Sequence, residues 1–394
     1  MVNGGTNEHW VRAGLRQLRV LGLERATVCY ERRGGQVWFG GRPCLNMASN
    51  DYLGLATNPR VVARAREFVA THGSGATAAP LVVGTWDCHQ ELERRLAQLK
   101  GYGAALLFGS GYAANLGIIP ALVGRGDHVF IDRMAHASLV DGAILSRARI
   151  HRFRHNDPDH LAAVLRSASG HGRCLVVTES VFSMDGDVAP LEAVCAVAAS
   201  RGAMVLVDEA HATGVFGPSG AGLVRALGLE GPVTVSMGTL SKALGAQGGF
   251  VACSEELRQW FVNRARAFMY STGLAPAAVG AALGALELTA EHPEWGQVVL
   301  KKAERFRSRL RAAGLDTGGS QSQIVPVLVG GSERTMRLAR RLLEGGVVAA
   351  AIRPPSVPAG TARLRFSVTM AHDEEQLAQA AEMVVSAARE EGII

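Results

Sequence analysis

Lysine is scarce in this sequence, and long hydrophobic runs are absent from it. Of 394 residues, 41 are lysine or arginine, and the only lysines are Lys100, Lys242, Lys301 and Lys302. No window approaches the roughly 18 uncharged apolar residues that a membrane-spanning helix needs. The opening residues lack the basic and then apolar pattern of a secretory signal. We therefore expect neither a membrane partner nor secretion.

Cysteine motifs are also missing. The six cysteines stand at positions 29, 44, 88, 174, 195 and 253. No two of them have the spacing of a zinc site or of a CxxC motif, and a chain of this length needs no disulfide framework. The pattern predicts a reduced cytoplasmic protein without a metal site.

The positive charge does not form a nucleic-acid-binding pattern. The net charge is +6 and the pI is about 9.2. Arginines are mixed with glutamates, as in ELERRLAQLK, and no basic run is interleaved with aromatic residues. We expect no nucleic-acid partner, although an acidic small substrate or an acidic carrier protein would suit the charge.

Alternating strands and helices are predicted for the middle of the chain. The composition, 48% apolar and 19% charged, is that of a globular protein. Short apolar runs occur at residues 104–108, 128–131, 174–178, 204–208, 233–237 and 249–253. Amphipathic stretches lie between several of them, which indicates an α/β fold with a mostly parallel central sheet.

The chain divides into three predicted parts. Residues 1–50 form an N-terminal arm, with one helix and a hairpin around Gly34–Gly41. Residues 51–285 form the large α/β domain, and residues 286–394 form a smaller C-terminal α+β domain. Ligands of such sheets bind at the carboxyl ends of the strands, so the residues there are the candidates for chemistry.

Three polar segments follow predicted strands. FGSGYAAN (108–115) opens a helix whose N-terminus could hold a phosphate, but turns of this composition are common. In MVLVDEAHATG (204–214), Asp208 could cap a helix or pair with a cationic ring nitrogen. ESVFSMDGDVAPL (179–191) could be an ordinary polar turn.

A fourth segment, VSMGTLSKALGAQGGF (235–250), contains Lys242. A lone lysine is usually a solvated charge. We interpret Lys100 as a helix-end cation, and Lys301 and Lys302 as residues of a charged helix. Lys242 instead follows an apolar strand among small residues, where desolvation lowers the pKa of an amine and makes it a nucleophile for aldehydes. A lysine, an aspartate and a helix N-terminus together are the groups that bind pyridoxal 5′-phosphate (PLP).

Six motifs carry a resemblance to a known family. SNDYLGL (49–55), GSGYAAN, DRMAHASLVDG (132–142), ESVFSMDGDVAPL, VDEAHATGVFG and GTLSKALG closely resemble those of the α-oxoamine synthases, from about residue 15 to the C-terminus. These PLP enzymes have the aspartate-aminotransferase-like fold type I, and they condense an amino acid with an acyl thioester and release CO2. The resemblance implies a PLP-dependent acyltransferase that is a homodimer, with its active site at the subunit interface.

The resemblance also implies roles at the cofactor. Lys242 would form the Schiff base and act as general acid and base, Asp208 would pair with the pyridine nitrogen, and His136 would stack over the ring. Ser183 and His211 would contact the 3′-oxygen of the ring. The phosphate would be held by Ser110, Gly111 and Tyr112 at a helix N-terminus and by Thr239 at a strand end. Thr272 of a neighbouring subunit would complete the phosphate site.

The substrate assignment rests on residues 352–372, IRPPSVPAGTARLRFSVTMAH. This stretch most resembles the family branch that condenses L-alanine with a pimeloyl thioester in biotin biosynthesis, with coenzyme A or an acyl-carrier protein as the carrier. Arg353 would bind the amino-acid carboxylate, and Asn50 and Ser356 would line the substrate site. Arg25 would bind the distal end of the acyl chain.

Other members of the family are alternatives. They combine glycine with acetyl-CoA, glycine with succinyl-CoA, serine with a long acyl chain, or an amino acid with an unusual acyl donor. Pro80 and Met370 depart from the family pattern, and both could touch the substrate channel. An aminotransferase or a lyase would share the fold, whereas a non-catalytic partner subunit would be expected to lack Lys242.

Overall fold

The computed structural model describes residues 8–33, 36–168 and 171–394. Residues 1–7, part of the opening stretch on which the predicted absence of a secretory signal rests, lie outside these ranges. Gly34 of the predicted hairpin also lies outside them. No helix in the described ranges is both long enough and apolar enough to span a membrane.

The strands form three sheets. In chain order they are β1 (Glu31–Arg33), β2 (Gln36–Phe39), β3 (Arg42–Asn46), β4 (Ala104–Phe108), β5 (His128–Asp132), β6 (Arg149–Phe153), β7 (Cys174–Glu179), β8 (Met204–Asp208), β9 (Val235–Thr239), β10 (Gly249–Cys253), β11 (Ile324–Gly330), β12 (Val347–Val348), β13 (Ala350–Ile352) and β14 (Ala362–Ser367). The helices are α1 (His9–Val20), α2 (Pro59–His72), α3 (Asp87–Lys100), α4 (Gly111–Leu122), α5 (Ala137–Ser146), α6 (Pro158–Ser167), α7 (Leu191–Ala199), α8 (Leu223–Ala226), α9 (Glu255–Arg264), α10 (Arg266–Met269), α11 (Pro276–Glu291), α12 (Trp295–Ala312), α13 (Ser332–Glu344) and α14 (Glu374–Glu390).

The central sheet has the strand order β4-β10-β9-β8-β7-β5-β6. Strand β10 runs antiparallel to β4 and β9, and the other pairs are parallel. The predicted mostly parallel sheet is therefore confirmed, and each predicted apolar run overlaps one of its strands. Strand β6 is not predicted by the sequence, because this partly exposed edge strand has the polar sequence RIHRF.

Successive residues of the strands pack into two separate cores. Val176 packs into the core that contains Leu283 of α11. Its neighbour Val177 packs into the core that contains Ile118 of α4. Successive side chains of a strand point to opposite faces, so helices cover both sides of the sheet and its strands are continuous apolar runs.

Four parallel strands end in polar residues. Strand β5 ends at Asp132, β7 at Glu179, β8 at Asp208 and β9 at Thr239. Because these strands are parallel, the four residues lie at the same edge of the sheet. Helix α4 begins just after β4, which is parallel to them, so its N-terminus faces the same edge.

The C-terminal region forms a second layer. Strands β11, β14 and β13 make an antiparallel sheet, which packs with α12 and α14 around a third core that contains Phe306 and Phe366. The fold therefore contains the predicted smaller C-terminal α+β unit. The domain boundaries at residues 50 and 285 stay predictions, and α11 continues across the second of them.

Two lysines are less exposed than an ordinary solvated cation. Lys100 is only 1% exposed, and it donates hydrogen bonds to Glu209 at 2.9 Å and to Thr213 at 2.8 Å. Its interpretation as an ordinary helix-end cation is wrong, because its partners come from a distant segment of the chain. Lys302 is half-buried and donates to the backbone oxygens of Met370 and His372 at 2.9 and 2.6 Å.

Candidate active site

Lys242 lies in a turn that follows β9. Leu240 and Ala243 on either side of it are buried, and the Gly245 N–H donates to the Lys242 oxygen at 2.9 Å. Gly245 has a φ of +61°, and a Cβ at this position would lie 2.4 Å from the backbone nitrogen of Ala56. The position therefore requires glycine, and the tight turn holds Lys242 at the carboxyl edge of the sheet.

The Lys242 amine lies among charged groups. Burial lowers its pKa, whereas the carboxylates of Asp208 and Glu179 oppose that shift and the Arg365 guanidinium adds to it. A lysine with a lowered pKa has more of its free amine at neutral pH, and the free amine is the form that attacks an aldehyde.

Asp208 is buried and is held by N–H donors. Its Oδ1 accepts from the Ala210 backbone N–H at 2.9 Å, and its Oδ2 accepts from Asn115 Nδ2 at 3.0 Å. A carboxylate offers about four acceptor sites. Asp208 can therefore also accept a hydrogen bond from a cationic ring nitrogen.

Glu179 is the cross-strand neighbour of Asp208. Burial and then the Asp208 charge raise the pKa of Glu179 well above its usual value. The Glu179 Oε1 accepts from the His136 backbone N–H at 2.6 Å. Glu179 therefore holds the loop that carries His136 against the sheet edge.

His136 is the N-cap of α5. Its Nδ1 accepts from the Ser138 backbone N–H at 3.2 Å and lies 2.8 Å from the Ser138 hydroxyl. Burial lowers the pKa of His136, against the opposing charge of Asp208. The ring is therefore neutral at pH 7, and a flat neutral ring beside Asp208 is suited to stacking on a second aromatic ring.

His211 is buried beside Tyr52, whose hydroxyl lies 2.7 Å from its Nδ1. Burial lowers the pKa of His211 well below its usual value, and the positive charges of Lys242 and Arg365 act in the same direction. Gln323 Nε2 donates to the His211 backbone oxygen at 2.8 Å. This imidazole is therefore a neutral hydrogen-bonding group near Lys242.

Arg365 is a buried arginine that the sequence analysis did not select. Its Nε donates to the Ser183 backbone oxygen at 2.5 Å, and its Nη2 donates to Asn50 Oδ1 at 3.1 Å. Its positive charge also lowers the pKa of Lys242 and of His211. Arg365 thus donates hydrogen bonds to two predicted site residues, Asn50 and Ser183, and its charge acts on the Lys242 amine.

The predicted phosphate site lies at the start of α4. Ser110 is the N-cap, and its hydroxyl accepts from the Ala113 N–H at 3.0 Å. A Cβ at Gly111 would lie 3.5 Å from Thr239 Cβ, so the helix N-terminus adjoins the end of β9. The first backbone N–H groups of α4 and the Thr239 hydroxyl, which donates to the Gly248 oxygen at 2.9 Å, therefore lie side by side, an arrangement that suits a phosphate.

Two other predicted phosphate contacts lie at the surface. Tyr112 is 45% exposed, and its hydroxyl donates to Asp141. Thr272 is exposed and lines a small cavity that also contains Gly109. The structure thus places both side chains near the α4 N-terminus and leaves them accessible to a second molecule.

Three predicted substrate residues lie together in a second cavity. Arg25 donates to Ser356 Oγ at 3.3 Å. Arg353 donates to the backbone oxygens of Gly22 and Glu24, the latter at 2.5 Å. All three line a cavity of about 640 Å³ between α13, β13 and residues 24–30. Its other walls are largely apolar, formed by Val28, Tyr30, Met336, Ala339, Leu343, Val348, Ala349, Ala351 and Ile352.

The residues that the sequence analysis missed all lie within motifs that it quoted. Asn115 ends GSGYAAN, Tyr52 lies in SNDYLGL, Glu179 opens ESVFSMDGDVAPL, and Arg365 lies in residues 352–372. The resemblance of these motifs to the family was the signal from which the four residues could have been selected. Which side chain of a motif faces the amine depends on packing, and no pattern in the motif itself specifies it.

Comparison with known proteins identifies the family. The family described as aminotransferase class I and II matches residues 42–384. An 8-amino-7-oxononanoate synthase from Geobacter sulfurreducens is 49% identical, with 96% of this chain and 98% of the relative covered. Another, from Anaeromyxobacter dehalogenans, is 48% identical, with 93% and 92% covered. The chain belongs to this family, in its α-oxoamine synthase branch.

Solved structures agree with this placement. A serine palmitoyltransferase from S. paucimobilis, solved with a bound PLP adduct, is 34% identical and superposes with a TM-score of 0.92 over 98% of both chains. An 8-amino-7-oxononanoate synthase from Francisella tularensis is 25% identical, with a TM-score of 0.77 over 89% of this chain and 99% of that one. The predicted fold type I of the α-oxoamine synthases is confirmed.

The residues at the sheet edge fit PLP, the cofactor of this family. The Lys242 amine suits its aldehyde, the Asp208 carboxylate suits its ring nitrogen, and the neutral His136 ring suits its face. The cradle between Gly111 and Thr239 suits its phosphate. The predicted PLP dependence is confirmed by the family, and the roles of the individual residues stay predictions.

Proposed function

We propose that this α-oxoamine synthase condenses L-alanine with a pimeloyl thioester to form 8-amino-7-oxononanoate, CO2 and a free thiol, in biotin biosynthesis. The observation that carries the proposal is the buried Lys242 amine at the carboxyl edge of the sheet, where the charges of Asp208 and Arg365 both act on its pKa. Curated relatives named 8-amino-7-oxononanoate synthase, 44–49% identical to the chain, support the choice of reaction.

The proposed chemistry assigns one step to each group. Bound PLP supplies an electron sink that stabilises negative charge at the α-carbon of the amino acid. Lys242 takes the α-proton and later returns a proton, since its lowered pKa makes the free amine available. Asp208 would keep the ring nitrogen of bound PLP protonated, and the neutral His136 ring would cover its face.

We assign the amino-acid carboxylate to Arg365 rather than to the predicted Arg353. Arg365 lies beside Asn50 and its charge acts on Lys242, whereas both guanidinium contacts of Arg353 are to backbone oxygens of the N-terminal arm. An arginine fork binds a carboxylate through two parallel hydrogen bonds. The geometry therefore favours Arg365 as the carboxylate-binding group.

Replacing Arg365 with lysine tests this assignment. The KM for alanine should rise about 10- to 100-fold, because a hydrogen bond to a charged group contributes about 1.5–3 kcal/mol. Arg353→Lys is the matched control, and its KM for alanine should change less than about threefold. Steady-state kinetics would contradict the assignment if the two variants showed the opposite order, with thermal melting used to show that both are folded.

The second cavity supports the proposed acyl donor. Its apolar walls suit a methylene chain, and Arg25 at Ser356 provides a positive group for a distal carboxylate. Strand β13 on its wall pairs with β14, and Ala350 lies directly opposite Arg365. The cavity therefore borders the strand next to the one that carries the proposed carboxylate-binding group.

A panel of acyl donors tests the proposed reaction. With L-alanine, thiol release from a pimeloyl thioester should exceed that from acetyl, succinyl and palmitoyl thioesters by at least about tenfold in kcat/KM. The heptanoyl thioester is the matched control, because it has the same chain length without the distal carboxylate. Arg25→Met should reduce the preference for pimeloyl over heptanoyl. Turnover of another donor but not of pimeloyl would contradict the proposed substrate and leave the family unaffected.

We further propose that the chain works as a homodimer in the cytoplasm, with coenzyme A or an acyl-carrier protein as the thioester carrier. Thr272 is exposed, so in a dimer it is accessible to complete the phosphate site of the neighbouring subunit, where the Tyr112 side chain is also exposed. All six cysteines are free, which suits a reducing compartment. Carrier preference can be read from the same donor panel, with each acyl group offered on both carriers.

A further inference from the structure

A chain of buried polar groups connects Asp208 to His136. Asn115 is fully buried, and its Nδ2 donates to Asp208 Oδ2 at 3.0 Å and to Ser138 Oγ at 2.9 Å. The Ser138 hydroxyl, also buried, lies 2.8 Å from His136 Nδ1. The group of three hydrogen bonds, which we call the Asn115 relay, passes between the two residues assigned to the cofactor ring.

The hydrogen atoms of the relay can be placed by elimination. An asparagine amide has two N–H donors, and Asn115 uses both. A flipped amide would turn its oxygen toward the Asp208 carboxylate, which would repel it. Because Ser138 accepts from Asn115 and has a single hydrogen, it donates that hydrogen to His136 Nδ1. The Ser138 backbone N–H donates to the same nitrogen at 3.2 Å.

This arrangement specifies one form of His136. Two donors directed at Nδ1 require an unprotonated nitrogen there, so the neutral ring carries its hydrogen on Nε2. The low pKa that burial gives His136 agrees with a neutral ring. The Asn115 Oδ1 is buried and accepts no hydrogen bond in the described part of the chain. An unpaired buried oxygen is destabilising, which indicates that the two donor contacts determine the orientation of this side chain.

The position of Asn115 depends on close helix packing. Asn115 lies in the first turns of α4, the helix whose N-terminus adjoins Thr239. A Cβ at Gly142 of α5 would lie 2.8 Å from the Asn115 backbone oxygen. Glycine at residue 142 therefore lets α4 and α5 approach closely enough for Asn115 to reach Ser138.

We propose that Asn115 is a positioning residue that orients Asp208 toward the cofactor ring nitrogen and, through Ser138, sets the tautomer and orientation of His136. This inference rests on the proposed PLP site and does not depend on which acyl donor is used. Asn115 itself has no contact with a reacting atom in this scheme. It links the helix that holds the phosphate to the residues that hold the ring.

Titration of the apoenzyme with PLP tests the proposal without any turnover. The Asn115→Ala apoenzyme should bind PLP about 10- to 100-fold more weakly than the unaltered apoenzyme, the loss expected for a hydrogen bond to a charged group. Asn115→Asp should bind it more weakly still, because a second carboxyl group would face Asp208. Asn156→Asp is the matched control, since the Asn156 amide also donates to an aspartate, Asp187, outside the proposed site.

A double-mutant cycle separates positioning from simple structural support. If the relay acts as a unit, Asn115→Ala combined with Ser138→Ala should weaken PLP binding little more than Asn115→Ala alone. Unchanged PLP affinity in a folded Asn115→Ala apoenzyme would overturn the proposal, as would additive losses in the cycle. Failure of an unaltered apoenzyme to bind PLP would overturn the proposed cofactor site as well, whereas failure with pimeloyl thioesters alone would leave the Asn115 relay unaffected.

Discussion

Replacing Lys242 with alanine is expected to abolish the condensation. The variant lacks the amine to which we assign removal and return of the α-proton, and proton transfer by a positioned group contributes about 10²–10⁴-fold to a rate. The loss should reach or exceed the upper end of this range, because the same amine would bind the cofactor covalently. Thiol release from the thioester measures the rate. Borohydride fixation of PLP to the protein measures the covalent attachment.

Two further variants sharpen this result. Lys242→Arg keeps a positive charge but should be as inactive as Lys242→Ala, because a guanidinium stays protonated and is a poor nucleophile. Lys301→Ala, on the exposed surface of α12, is the matched control and should retain full activity. A Lys242→Ala protein that still carries a yellow band fixable by borohydride would show that another amine holds PLP.

The central sheet and Lys242 could be predicted because local patterns determine them. The buried strands are continuous apolar runs, since helices cover both faces of the sheet. Lys242 stands out because arginine supplies almost every other positive charge and because small residues surround this lysine. Both signals are contained within short segments, so no knowledge of long-range packing is needed to find them.

The choice between Arg353 and Arg365 could not be made from the sequence. Strand β14 alternates, with Leu364 and Phe366 in the C-terminal core and Arg365 on the opposite face. This alternation predicts that the Arg365 side chain points away from the C-terminal core. It does not predict the hydrogen bond to Asn50, which is 315 positions away in the chain. The site depends on how the C-terminal sheet packs on the large domain, and only the structure describes that packing.

The environment of Lys100 was missed for the same reason. Within its helix, Lys100 has the ordinary position of a cation before a C-terminal glycine, with Gly101 in the left-handed conformation. Its burial comes from Glu209, which follows Asp208 at the end of β8, and from Thr213. Helix-end patterns cannot reveal a partner that is 109 residues away.

Replacing Lys100 with methionine should be strongly destabilising. The Glu209 side chain is fully buried, and removal of one partner of a buried ion pair costs about 3–5 kcal/mol, because the other charge stays in the interior uncompensated. Glu209 also accepts hydrogen bonds from the Val224 N–H at 2.9 Å and from the Ser236 hydroxyl at 3.0 Å. These contacts hold the unpaired carboxylate in place, so it cannot easily turn toward solvent.

The Glu209→Gln change should recover part of this loss in the Lys100→Met protein. A neutral amide removes the unpaired charge, and its oxygen can still accept from Val224. Denaturant unfolding followed by circular dichroism compares the single and double variants, with Lys301→Met as the surface control. If the free energy of unfolding of Lys100→Met were within about 1 kcal/mol of that of the unaltered protein, the Lys100–Glu209 pair would behave as a solvated surface pair and the prediction would be wrong. Because Glu209 lies next to Asp208, Lys100→Met should also weaken PLP binding, and Glu209→Gln should recover PLP affinity together with stability.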